Sequence, residues 1–199
     1  MLKLLVRSAV VTLVLAVILC GVYPLAVTLF AQVLFPNKAN GSLIVKSGTV
    51  VGSKLIGQAF TRPEYFHGRP SAAGDKGYDA LNSGGSNLGP TNKKLAEGLK
   101  GNIEAVIKDN PMMAKDGIPV DLITASGSGL DPDISPEAAL AQVDRVAKAR
   151  HADPEQLKQI VLAQVKDRDL GFLGEKHVNV LLLNLTLDGK MPIKAGYRQ

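Results

Sequence analysis

Between Ser8 and Phe35 the chain runs for twenty-eight residues without a charge, and no other stretch approaches that length. As a helix it would reach about 42 Å, beyond the roughly 30 Å hydrocarbon thickness of a bilayer. A cleaved secretory signal needs an apolar core of only about 7–15 residues and a small-residue cleavage site. The run here is longer, and no compact A-x-A site follows it. A lipoprotein signal is disfavoured because Leu19, not a small residue, precedes Cys20. The stretch therefore reads as an uncleaved anchor, a single transmembrane helix over residues 8–35. Lys3 and Arg7 crowd the leader, so residues 1–7 are expected in the cytoplasm. Residues 36–199 are then expected to form one extracytoplasmic domain.

Within the anchor, Ser8, Thr12, Ala16 and Cys20 recur every four residues as a row of small side chains, which would let a partner helix approach closely in lipid. Pro24 lacks a backbone donor and should bend the helix in its outer third.

The formal charge is +5, with Lys3 and Arg7 supplying two of it, and the excess is scattered rather than gathered into a patch. That pattern does not fit nucleic-acid binding. The one cysteine lies in the anchor, so the body must be stable on its core without disulfides. Leu43–Val51 reads as a strand broken by a Ser47-Gly48 turn, with Gly52–Gln58 as its returning partner. Residues 61–91 are rich in Gly and Pro yet carry Tyr65, Phe66 and Tyr78, which argues for an ordered functional loop rather than disorder. A helix is expected from Thr91, with Leu95, Leu99, Ile103, Val106 and Ile107 on one face, ending at Asn110-Pro111. Val120–Ala125 reads as a short strand. Ser135-Pro136-Glu137 and Asp153-Pro154-Glu155 both carry helix-start chemistry. Leu140, Val143 and Ala147 face the core on the first of these helices, and Leu157, Ile160, Val161 and Val165 on the second. Val178–Leu187 reads as a buried central strand. The expected fold class is α/β, an α+β mixed sheet with covering helices.

The chain lacks a P-loop, an Asp-Lys-Thr-Gly run and a G-x-S-x-G elbow. His67, His151 and His177 lack paired ligand spacing, and Asp131 and Asp133 lead into a helix cap rather than a calcium loop, so no metal site is expected. Gln164 falls on an apolar stripe and marks a possible buried polar site, expected to bond a loop backbone. Ser83, Gly84, Gly85, Ser86, Asn87, Thr91 and Asn92 stand in a glycine-rich loop before a helix. It reads either as a partner-docking loop or as an anion nest for a ligand.

Five stretches carry a specific resemblance. Glu64–Ser71 (EYFHGRPS), Ser83–Asn92 (SGGSNLGPTN), Thr124–Pro132 (TASGSGLDP), Arg145–Arg150 (RVAKAR) and Asn179–Asp188 (NVLLLNLTLD) together resemble, in this order, the C subunit of the bacterial Kdp potassium-transporting ATPase. The resemblance extends from the anchor nearly to the end of the chain. Asp133 departs from the family's usual His, and Leu182 from its usual acid, a change that would weaken a polar contact near the terminal strand. The resemblance implies a non-catalytic accessory subunit of a P-type ATPase complex for potassium transport. Its partners would be a channel-like A subunit, an ATP-hydrolysing B subunit and a small F subunit. The family is described as a catalytic chaperone raising the B subunit's ATP affinity. No firmly bound cofactor is implied, and ATP would be met through the complex. The charge reading places the glycine-rich loop outside, away from ATP, and the topology is preferred over direct ATP contact. A rival reading from another class is a stand-alone membrane-anchored envelope enzyme or ligand binder, which would need convergent titratable residues.

Overall fold

A computed structural model of the chain describes residues 1–113 and 117–190. The chain forms two compact units, Met1–Ser53 and Lys54–Gln199, each described by itself.

The first unit is a nearly continuous apolar helix and a hairpin. Helix α1 (Leu2–Val17) passes through a π-helical turn, Ile18–Val22, into α2 (Tyr23–Leu34). Over Leu2–Leu34 it is long and apolar enough to cross a membrane. The wide turn lies immediately before Pro24, whose ring cannot donate the helix bond and crowds the carbonyl one turn back. A single turn, α3 (Pro36–Ala39), leads to the antiparallel hairpin of β1 (Leu43–Lys46) and β2 (Thr49–Ser53). Ser47 and Gly48 both have positive φ, 52° and 80°, as a two-residue primed turn requires. Such a tight turn sends the chain straight back, so the partner strand is Thr49–Ser53 rather than Gly52–Gln58.

The second unit is mainly helical. Asn92 caps α4 (Lys93–Asp109), accepting from the Lys94 N–H at 2.9 Å. Its five apolar face residues are only half-buried. Val120–Leu122 is a 3-10 turn, not a strand: its carbonyls close locally, with Thr124 N–H donating to Val120 O. Ser135 caps α5 (Pro136–Ala141) and is itself held by Asp121, whose carboxylate accepts from the Ser135 N–H at 2.6 Å and its hydroxyl at 3.1 Å. Helix α6 (Val143–Arg150) ends at His151 in the left-handed conformation, and Asp153 caps α7 (Pro154–Gln164).

The largest correction concerns residues 178–187. Only β4 (Val178–Asn179) is extended, paired antiparallel with β3 (Asp133–Ile134); α8 (Val180–Lys190) follows at once. Asn179 caps it, accepting from the Leu182 N–H at 3.1 Å. The run is rich in Leu, a good helix former, and among the described residues no neighbouring strand extends far enough to pair it. The expected mixed sheet is therefore replaced by two separate two-stranded antiparallel ladders, and the α+β character is carried mostly by helices. The core joins Phe66 with Ala138, Val146, Leu157, Val161, Leu183 and Leu187.

The helical assignment separates two adjacent leucines. Leu183 is fully buried and Leu182 is half-buried. Leu183→Ala should cost about 2–5 kcal/mol and Leu182→Ala distinctly less, measured by denaturant unfolding of the full chain in detergent. A strand buried on both faces would lose similar stability at either position.

Candidate functional site

The segment from Glu64 to Pro70 is half-buried or buried, with Phe66 wholly inside, yet it belongs to neither ladder. Peptide groups in such a place need partners, since an unpaired buried N–H or C=O is costly. Side chains supply them. Asn184 of α8 accepts from the Phe66 N–H at 2.9 Å and donates its amide to Phe66 O at 3.0 Å. Gln142, between α5 and α6, does the same for His67, at 2.8 and 3.1 Å. A carboxamide carries a peptide's donor and acceptor side by side, so each amide stands in for a neighbouring strand. Gln142 and Asn184 are 1% and 2% exposed.

Two arginines of α6 complete the clamp. Arg145 donates to Pro63 O at 2.6 Å, Tyr65 O at 2.9 Å, Gln142 Oε1 at 2.7 Å and Asn110 Oδ1 at 3.1 Å. Arg150 donates to Glu64 O at 2.7 Å, pairs with Asp188 at 3.0 Å and lies over the Tyr65 ring. Farther along, Arg69 pairs with Asp131 at 3.0 Å, and the Ser71 hydroxyl donates to Gly129 O at 2.5 Å. The second glycine-rich stretch joins through the same loop. Gly84 N–H and the Ser83 hydroxyl both donate to Ser128 O, at 2.8 and 3.0 Å. A Cβ on Gly85 would lie 3.1 Å from Gly127 O. All five stretches singled out in the sequence thus form one hydrogen-bonded network.

Ser83, Ser86, Asn87, Thr91 and Asn92 are exposed, and Gly84 and Gly85 half-buried. Asn87 takes a left-handed φ of 53°. Two amides of the loop are engaged, Gly84 N–H on Ser128 O and Asn92 N–H on Gly89 O, and the Asn92 side chain accepts from Lys94 N–H in the helix that follows. Ser8, Thr12, Ala16 and Cys20 are exposed on the apolar helix, Cys20 within its π turn. Gln164 is half-buried and reaches Thr186 Oγ1 of α8 at 3.5 Å, not a loop backbone. Of the departing residues, Asp133 accepts from the Asn179 amide at 2.9 Å, and Leu182 sits half-buried in the first turn of α8. The clamping amides went unread in the sequence. Their signal was available, because Gln142 and Asn184 both interrupt apolar runs at helical spacing from buried neighbours.

A cavity of about 310 Å³ opens beside this network, lined by Phe60, His67, Arg69, Tyr78, Asn102 and Leu122 among others. Two of its polar side chains are turned to backbone partners. Tyr78 donates to Arg69 O at 2.6 Å and Asn102 to Ile123 O at 2.9 Å. Burial pushes the Tyr78 hydroxyl up to about 12 and Arg145 down to about 10. Burial, with Arg145 beside it, holds the His67 imidazole below its ordinary value. Among the described residues there is no cluster that could hold a metal ion, and no buried side-chain nitrogen or oxygen lacks a partner.

Fold and site together define an α+β scaffold, preceded by one long apolar helix, whose sequence motifs hold one another in place. The profile of the family described as K+-transporting ATPase, c chain (KdpC) matches residues 5–189. The chain is 54% identical over 188 residues to the protein of Nitratidesulfovibrio vulgaris named potassium-transporting ATPase KdpC subunit, covering 94% of this chain and 95% of that one. A protein of the same name from Rhodopseudomonas palustris is 54% identical over 195 residues, with coverage of 92% and 96%. One from Koribacter versatilis is 52% identical over 191 residues, with coverage of 96% and 97%. The chain belongs to the KdpC family.

Asn184→Leu would strip both Phe66 peptide groups of their partners and should cost about 1–3 kcal/mol for each. Gln164→Leu, which removes only a long 3.5 Å contact, should be close to neutral in the same unfolding experiment.

His67 sets a pH dependence with a definite sign. Its folded value lies below the unfolded value near 6.5, so its contribution is fully present above pH 6.5. As pH falls below that point the unfolded chain takes up a proton that the folded chain resists, and stability declines. His67→Gln should flatten this part of a thermal-stability profile between pH 7 and 5.

Proposed function

We propose that this chain is the non-catalytic accessory subunit of an ATP-driven potassium uptake complex, joining a channel-like subunit, a P-type ATP-hydrolysing subunit and a small stabilising subunit. Its apolar helix anchors it in the inner membrane, with residues 1–7 in the cytoplasm and the body from residue 36 on the other side. The basic leader supports this orientation. The body acts as a docking platform, and Ser83–Asn92 is one of its contact loops. The single observation that carries the reading is the closed network around Glu64–Ser71. Its buried polar groups are engaged in holding the backbone, and the Ser83–Asn92 side chains are left facing outward on a braced loop.

In this reading the chain raises the ATP affinity of the P-type subunit through assembly, as a catalytic chaperone, and does not itself contact nucleotide. The basic leader supports that choice, because it puts the loop on the side of the membrane away from ATP. Small residues at Ser8, Thr12, Ala16 and Cys20 supply the face against which a partner's membrane helix packs.

Two measurements on one preparation test the proposal. The complex purified without this chain should show an apparent KM for ATP several-fold higher than the complete complex. Calorimetric titration of the purified full-length chain with ATP should give no heat beyond dilution. An unchanged KM would remove the chaperone role, and saturable micromolar binding by the chain alone would overturn the indirect route.

A further inference from the structure

Residues 166–177, between α7 and β4, form an arm that the network above does not use. Lys166 and His177 exchange backbone hydrogen bonds at 2.9 and 3.1 Å, and Asp169 and Leu173 do so at 2.9 Å, closing an antiparallel finger. Cross-strand ion pairs brace it, Arg168 with Glu175 and Lys176 with Asp167, the latter at 2.8 Å. Every residue from Lys166 to Lys176 is exposed. At the tip stand Leu170, Phe172 and Leu173, which are 83%, 70% and 50% exposed.

The tip is also strained. Leu170 has a φ of 54°, in the left-handed region that costs a side-chain-bearing residue roughly 1–2 kcal/mol. Glycines take up such turns without that cost, and Gly171 is adjacent. A leucine in a glycine's conformation, fully presented to solvent, does nothing for the fold of this domain. Strain of this kind is retained where a partner uses the side chain.

Two occupants suit an apolar tip, a bilayer and a protein recess. Lipid surfaces bind such elements through apolar area together with basic charge, and a single myristoyl chain alone binds only marginally. Here Lys166, Arg168 and Lys176 are balanced by Asp167, Asp169 and Glu175, so no basic excess supports three apolar side chains. Aromatic and aliphatic anchors ringed by paired charges match instead the centre of a protein interface, where a few buried side chains carry most of the energy. We infer that the Lys166–His177 finger seats its Leu170-Phe172-Leu173 tip in an apolar recess on another subunit of the transport complex. The inference rests on the accessory-subunit reading above, which supplies the neighbouring subunits.

A photo-reactive benzoylphenylalanine in place of Phe172, in the full chain within the assembled complex, reads the contact directly. Cross-linking to a polypeptide of the complex is expected. Lipid adducts alone, or no adduct, would overturn the inference. In parallel, Phe172→Asp should lower retention of the chain by the complex on the order of tenfold, without lowering its own thermal stability. Leu170→Gly should weaken retention while leaving stability equal or higher, because it relieves the left-handed strain. Leu81→Asp, at another fully exposed leucine, serves as the control. If the wild-type chain is retained and Phe172→Asp is retained equally, the finger is wrong and the subunit reading stands. If the wild-type chain itself fails to co-purify, both fall.

Discussion

An extended backbone crossing a helical core without a sheet beside it is the constraint on which the second unit depends. Glu64–His67 places its peptide groups among apolar side chains, where water is excluded, so each must find a partner inside the protein. The solution fixes chemistry at distant positions. Asn184 and Gln142 must be carboxamides, because only an amide answers an N–H and a C=O at once. Arg145 must present a planar fork of donors, since it serves two carbonyls and two amide oxygens in different directions. A lysine there would offer one compact point charge and could not span them.

Arg150 extends the same logic to charge. Its side chain is fully buried, and Asp188, Tyr65 and Glu64 O surround the guanidinium. Burying such a pair brings a desolvation penalty that can match the attraction gained, so the ion pair says little about stability by itself. Its geometric effect is clearer. It ties α6 to α8 with the Glu64–Phe66 segment between them, and the Tyr65 hydroxyl, donating to Asp188 at 3.3 Å, adds a second tie. Desolvation and Asp188 both push the Tyr65 hydroxyl up, which keeps it a hydrogen-bond donor across the physiological range.

What could be read from the sequence follows from the range of the interactions involved. Helix starts at Ser135 and Asp153 were legible because a cap is a local event, decided within three residues, whereas the start near Thr91 was read from apolar spacing further along the helix. The Ser47-Gly48 turn was likewise legible as a local event. The long apolar helix was legible from the length of its uncharged run. Residues 178–187 were misread because an apolar run without polar gaps carries no periodicity, and what decided its state was the absence of a strand to pair with. Asn179 as a cap was the local clue. The Ser83–Asn92 loop was visible as a glycine-rich stretch, but its shape was not, since that depends on Gly129 some forty residues away. At Gly129 φ is 66°, and a Cβ would lie 2.7 Å from both Ala73 N and Gly84 O. Three chain segments meet where only a glycine fits. The buried amides were hidden for the complementary reason: one polar residue in an apolar stripe announces a partner without saying where it lies.

The division of labour between inside and outside follows from this arrangement. When every buried side-chain nitrogen and oxygen among the described residues is bonded within the protein, those side chains offer no free group with which to recognise anything. Recognition then falls to features that the fold leaves standing in solvent. The same internal bonding makes those features rigid: Ser128 holds the base of the Ser83–Asn92 loop, and paired charges hold the Lys166–His177 arm. A surface fixed before contact loses little conformational freedom when a partner covers it, so more of the contact energy appears as affinity. In the accessory-subunit reading proposed above, bracing a neighbour calls for that property more than for a pocket.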